Sequence, residues 1–328
     1  MNSTIKPANT LYARTRAYAR DNSFKSWWVI GSTAFILAVL TLGTLPWSPL
    51  ALRIFCSVAS GLVTVRFFVI YHDQQHRAIL PKSGVAEFLM RVFGIWTLCP
   101  SSIWRASHDH HHAHNSKLRG SDIGSFPIMT REQYQKSSFS ERFVYMFMRH
   151  PLTLMTGYIT VFFIGMVSYP MFRSPRKHYD CLLALLVHVA LNVWVIVCFG
   201  WVTALLMIWI PRSIAAAMGS YLFYAQHNFP GVTFKDKGGW TYEGAAMESS
   251  SFLKTGPFMS WVTANIGYHH IHHLNHRIPF YRLPEIYREL PELQQVKTTT
   301  LHPRDIWRCF RLKVWCVKNQ CMVGVQGL

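Results

Sequence analysis

The sequence predicts an all-α integral membrane protein, with four transmembrane helices carrying a cytoplasmic, histidine-rich helical cap. Three observations predict it. Half of the 328 residues are hydrophobic and only 15% are charged, against roughly a quarter in a soluble domain. The apolar residues fall in runs long enough to cross a bilayer, with basic residues at their ends. Most of the 17 histidines stand in three tight clusters beside those runs. This composition excludes a disordered chain and argues against an ordinary soluble enzyme. The net charge of +18 flanks the apolar runs, which fits a basic cytoplasmic membrane face, and no nucleic-acid partner is expected.

Residues 1–26 read as a cytoplasmic N-terminal segment, basic through Lys6, Arg14, Arg16, Arg20 and Lys25. No small-residue cleavage site follows the first apolar run, so that run reads as an anchor. The expected spans are about 27–45 and 54–71, joined tightly around 46–49 as a hairpin. The first is close to the ~30 Å needed to cross. Arg66 is the only charge in the second and is expected to snorkel to the interface. Residues 86–99 are apolar but short, and Glu87 and Arg91 interrupt them, so an interfacial helix is expected. Residues 151–172 are long enough to span. Crossing there would put Arg173, Arg176 and Lys177 outside, so a re-entrant or in-plane segment is expected. Two further spans, 181–199 and 201–225, meet near Gly200, with Arg212 inside the second. The membrane unit is then 27–295, followed by a basic cytoplasmic tail, 296–328. Residues 72–150 and 226–328 make the cap, and both termini share its side.

The seven cysteines are odd in number and contain no CxxC pair, against a disulfide framework or a cysteine zinc site. Cys56, Cys181 and Cys198 lie in apolar runs and read as packing residues.

The first histidine cluster is His72 and His76, one helical turn apart, so both rings can reach one ion. The second offers His108, His111 and His112, and the third His269, His272 and His273, with identical HxxHH spacing. A single HxxxH pair is usually a solvated face. Three clusters in one apolar chain point to a shared metal centre. Eight imidazoles exceed what one ion takes and suit two. Neutral nitrogen ligands suit Fe, Zn, Cu or Ni, and the residues alone do not choose.

At these residues the chain resembles the membrane fatty acid desaturases, whose three boxes read HxxxH, HxxHH and HxxHH. The likeness runs wider, through "WRASHDHHHAHN", "FYAQHNFPGVTF" and "TANIGYHHIHHLNHRIPFYRLPE". It covers roughly 30–295 and is nearest the acyl-lipid subgroup of bacteria and plastids. His276 departs from that subgroup, which commonly has Pro there; it lies beyond the boxes, so little consequence is expected. The resemblance implies two Fe ions held by nine ligands: His72, His76, His108, His111, His112, His227, His269, His272 and His273. No other catalytic residue is expected. Asp73, Asp109 and Asn265 are candidate partners of the ligand rings by proximity, Asn265 because it precedes His269 by one helical turn. His110, His114 and His270 lie off the ligand face. His150, His178, His188 and His302 stand alone and are expected at the surface or an interface.

The implied chemistry is an O₂-dependent oxidation that puts a cis double bond into an acyl chain, with O₂ as co-substrate. The substrate would be a fatty acyl lipid or an acyl thioester. Phe223, Tyr224, Trp261 and Tyr268 are near enough to the boxes to line its channel. No HPGG haem segment, cysteine cluster pattern or GxGxxG fingerprint is present, so an external ferredoxin or cytochrome b5-like donor is implied. From Arg277 to Lys318 nine Lys/Arg face four Asp/Glu, a basic patch for an acidic donor or for anionic membrane lipid. The basic N-terminus puts the active site on the cytoplasmic side, and a bacterial inner membrane is expected. Lipid hydroxylases and carotenoid ketolases share the box pattern. A zinc-handling transporter would instead place its ligands inside the spans.

Overall fold

The computed structural model describes residues 10–236 and 238–326. The first nine residues of the expected N-terminal segment, Lys6 among them, and the last two of the tail lie outside the described residues. Four described helices are long and apolar enough to cross a membrane: α1 (Ser23–Gly43), α2 (Leu50–Gln75) and, later in the chain, Tyr179–Phe199 and Trp201–His227. Between them come α3 (Gly84–Trp96), α4 (Ser101–His114) and α5 (Phe139–Met148). The later pair are therefore α6 (Tyr179–Phe199) and α7 (Trp201–His227). The short helices α8 (His269–Leu274) and α9 (Pro303–Arg311) complete the cap.

The helix ends follow local chemistry. The Asn22 side chain accepts from the Lys25 amide at 3.0 Å and starts α1 earlier than the apolar run does. Pro49, extended and lacking an amide proton, precedes α2. α2 meets no breaker before Arg77, which has φ 57°, so one continuous helix carries the first histidine cluster out of the apolar run. Pro100 starts α4 in the same way, and α3 and α4 form a hairpin whose turn holds Cys99.

α2 is the central element and packs against α1, α3 and α7. At Gly61 a Cβ would sit 2.9 Å from Ile214 Cβ and 3.0 Å from the Pro211 carbonyl. Only glycine allows this approach, which brings the middles of α2 and α7 together. Arg66 does not reach the interface. It is 8% exposed, donates to the Trp261 carbonyl at 2.6 Å and lies 4.5 Å over the Trp261 ring. The cap folds down onto α2 and offers those partners, so snorkelling gains nothing.

Residues Pro151–Met155, Tyr158–Ser168 and Tyr169–Arg173 form a broken helix whose middle part has π winding. It leaves the level of Asn228, where Arg149 donates to Asn228 Oδ1 at 2.7 Å. It ends before His178, which faces Ser102 Oγ at 2.8 Å.

The basic tail is built into the cap. β2 (Thr298–Thr300) pairs in parallel with β1 (Phe252–Lys254), and β3 (Val314–Cys316) pairs with β4 (Cys321–Val323). Trp315 is fully buried, and its amide donates to the Met129 carbonyl at 2.9 Å. The N-terminal segment joins in through Arg14–Glu292, Tyr18–Glu289 and Asp21, which accepts from the Leu80 amide at 2.8 Å. Cys198 is exposed rather than packed, because α6 turns much of its apolar surface outward.

Candidate metal centre

Four helices bring the histidine clusters together: the end of α2, the second half of α4, the last residue of α7, and α8. They form two groups. His72, His76, His108, His112 and His272 have ligand atoms all within 4.8 Å of one another, and so do His111, His227, His269 and His273. The repeated HxxHH spacing divides between the groups. In α4, His111 goes to one and His108 and His112 to the other; in α8, His272 parts from His269 and His273.

The ring orientations decide what the groups can bind. His227 Nδ1 faces the Ser249 carbonyl at 3.1 Å and must carry the proton. Its Nε2 is then a bare lone pair. That lone pair faces His269 Nε2 at 2.9 Å, His111 Nε2 at 3.1 Å and His273 Nε2 at 3.1 Å. In the other group His72 Nδ1 faces Asp73 Oδ1 at 3.3 Å, leaving its Nε2 aimed at His108 Nε2, 2.9 Å away. His108 to His112 and His112 to His272 follow at 3.2 and 3.1 Å. Lone pairs this close repel unless a cation sits among them. Nitrogens each ~2.1 Å from one ion and at right angles would be about 3.0 Å apart. The donor set therefore fits two divalent transition-metal ions.

Burial first, then the proximity of the other rings, holds His76, His108, His111, His112, His269, His272 and His273 well below the ordinary imidazole value. They are neutral at pH 7, the form that ligates.

The other sequence candidates are placed as follows. Asp73 lies between His72 and the Phe280 amide, which donates to it at 2.7 Å. Asp109 is exposed and makes no bond to a ligand ring among the described residues. Asn265 has φ 58°, so no helix joins it to His269, and its amide goes to the Phe280 carbonyl at 3.3 Å. His110 and His114 stack on each other with ring centres 4.0 Å apart, outside both groups. His270 is buried against the Leu293 carbonyl, and burial lowers its pKa to about 3. Of the solitary histidines, His150 and His302 cap helix starts. His178 is buried rather than at the surface.

One neighbour was underrated by the sequence. The His276 ring lies 4.7 Å from that of His76 and 5.1 Å from that of His112. Its position three residues beyond the last box was the only available signal.

An apolar cavity of about 440 Å³ runs beside the histidines, with His72, His108 and His269 in its wall. Phe223 lines it too. The other three aromatics expected there do not. Tyr224 stacks on Phe310, Trp261 lies under Arg66, and Tyr268 packs on Phe252 and Tyr287.

Comparison with known proteins agrees with this geometry. A fatty acid desaturase family model matches residues 47–303. The chain is 32% identical to a fatty acid desaturase of Bacillus subtilis (strain 168), over 90% of this chain and 82% of that one. It is 24% identical to the sn-1 oleoyl-lipid 12-desaturase of Anabaena variabilis, over 83% and 78%. It is 22% identical to the chloroplastic omega-6 fatty acid desaturase of Glycine max, over 80% and 61%. With most of its length covered and two metal-competent histidine groups beside an apolar cavity, the chain belongs to the fatty acid desaturase family of membrane oxidoreductases.

Proposed function

We propose that the chain is an O₂-dependent acyl-lipid desaturase whose nine grouped histidines hold two irons. The observation that carries this is the convergence of bare imidazole nitrogens on two points beside a cavity fit for an alkyl chain. Bound iron supplies reversible one-electron redox chemistry and O₂ activation: a –CH₂–CH₂– unit, O₂, two electrons and two protons give –CH=CH– and two waters.

The chain's own residues do the rest. The apolar wall, with Phe68, Trp104 and Phe223, binds the alkyl chain and excludes water from the reacting carbons. His72, His108 and His269 bring both histidine groups to the same cavity surface. Asp73 and the Ser249 carbonyl orient His72 and His227 through their Nδ1 protons.

The two electrons come from an external ferredoxin or cytochrome b5-like protein. Exposed Arg304, Arg308 and Arg311 on α9 support an acidic donor. The membrane unit is 27–295, with the cap and both termini cytoplasmic in a bacterial inner membrane. The broken helix 151–173 lies in-plane or re-entrant, which keeps exposed Arg173, Arg176 and Lys177 on the basic side.

Metal analysis of the purified protein, joined to lipid mapping in a host with a compatible reductant, tests the reading. About two irons per chain and new cis double bonds are expected. Zinc without oxidation would sink it in favour of metal handling. Oxygen retained in the lipid would move the activity to a hydroxylase or ketolase.

A further inference from the structure

The cavity has a second end, deep in the helices. On α7 its lining steps from Gln226 through Phe223, Gly219 and Ala215 to Arg212, fifteen residues before His227 and about 22 Å along the helix. On α2 it steps from His72 to Thr64, about 12 Å. There the lining turns polar, with Thr97, Tyr158 and Arg212.

Arg212 is 5% exposed and has no carboxylate partner among the described residues. It donates to the Trp96 carbonyl at 2.8 Å and lies 2.8 Å from His188 Nδ1. His188 Nε2 in turn meets the Tyr158 hydroxyl at 2.9 Å. The guanidinium also packs 5.1 Å from the Trp96 ring centre, and its Nε has no partner among the described residues. One cation thus ties α3, α6 and α7 together and, through His188, the broken helix. A desolvated cation held by fixed partners resists displacement, because every departure strips a buried guanidinium of its hydrogen-bond acceptors.

The mouth is at the opposite end. Among the described residues, Phe147 and Met148 are the large side chains of the lining that are exposed, at 49% and 38%, and Gly165 is exposed backbone on the broken helix. They end α5, whose Phe139 and Phe143 are also exposed. A polar headgroup or a thioester carrier can remain at that mouth, whereas the far end, closed by buried Arg212, admits only the methyl end of a chain. At ~1.25 Å per carbon, from a ~1.5 Å bond and a ~111° angle, the 12 Å along α2 holds about ten carbons.

We propose that Arg212, Tyr158 and His188 form a rigid floor that stops the methyl end of the acyl chain, so that the double bond is placed by counting from that end. This rests on the acyl-desaturase reading above. The floor residues touch neither histidine group; they are positioning residues that set register.

The test is expression in a host with a compatible reductant, fed saturated C16 and C18 fatty acids, with double bonds mapped in extracted lipids by mass spectrometry. The expected wild-type result is one distance from the methyl carbon for both chains, so that the position counted from the carboxyl carbon differs by two. Tyr158→Ala deepens the floor and should move the double bond one or more carbons toward the carboxyl end. Gly219→Leu should move it toward the methyl end, since a Cβ there meets nothing within 4 Å and the leucine fills cavity. Arg212→Met should give several positional isomers where the wild type gives one. If one variant fails to insert, the other two carry the same test. A fixed distance from the carboxyl carbon in both chains overturns the floor, as do active variants with the wild-type isomer. Wild type without any unsaturated product overturns the desaturase reading itself, and the floor with it.

Discussion

The two histidine groups are built differently. The group of four centres on one residue: His227 Nε2 lies within 3.1 Å of the Nε2 atoms of His111, His269 and His273. It stands at the last residue of α7, and its ring is only half-buried. The group of five is a chain of contacts, His72 to His108 to His112 to His272, with His76 at its edge. The His76 Nε2 has no hydrogen-bond partner among the described residues. All five are buried, and Asp73 and His276 flank them. The difference teaches that the group of four has no spare donor, whereas the group of five has one.

The largest effects come from removing one ring from either group. His111→Ala and His272→Ala should each lower product below detection, at least a hundredfold, while membrane insertion is unchanged. Lipid analysis beside a quantified membrane fraction checks this. Normal activity in either variant would remove that residue from the ligand set.

Metal content sharpens the comparison. His227→Ala should drop iron from about two to about one per chain, because three donors remain. His76→Ala should keep most of both ions while losing about tenfold or more in activity. Equal metal loss in the two variants would show that the groups are not unequal in this way.

A smaller effect is expected at Asp73. Asp73→Asn keeps the shape but weakens the pull on the His72 proton, so activity should fall about 10- to 100-fold. An unchanged rate would mean that the Phe280 amide is the only partner that matters. The smallest effect is at His178, which bonds Ser102 away from both groups. His178→Ala should cost about 1 kcal/mol of stability and leave activity per folded molecule within about twofold. A large activity loss would tie the α4–α6 contact to the metal centre.

Much of this was legible in the chain. The helical periods of the boxes already fix which rings share a helix face, and apolar run length together with the placing of the basic residues picks out the four long helices. His110 and His114 were separable from the ligands because 3.6-residue geometry turns them away. Other features were not legible. Asn265 looked like a helical neighbour of His269, but the backbone reverses between them. Arg66 looked like an interfacial charge, but a carbonyl from a segment some 195 residues away receives it. The lining aromatics failed for the same reason: proximity along the chain says nothing of which side of a helix faces a cavity made by four others.

The sequence by itself determined the membrane helices, the histidine-bearing faces and the neutral, nitrogen-only character of the donor set. These depend on local periodicity and side-chain chemistry. Tertiary structure alone decided the rest: how the nine rings divide between two groups, that His276 adjoins one of them, and that a buried arginine closes the cavity. Each of those needs residues far apart in the chain to be brought within a few ångströms, and no local pattern encodes that.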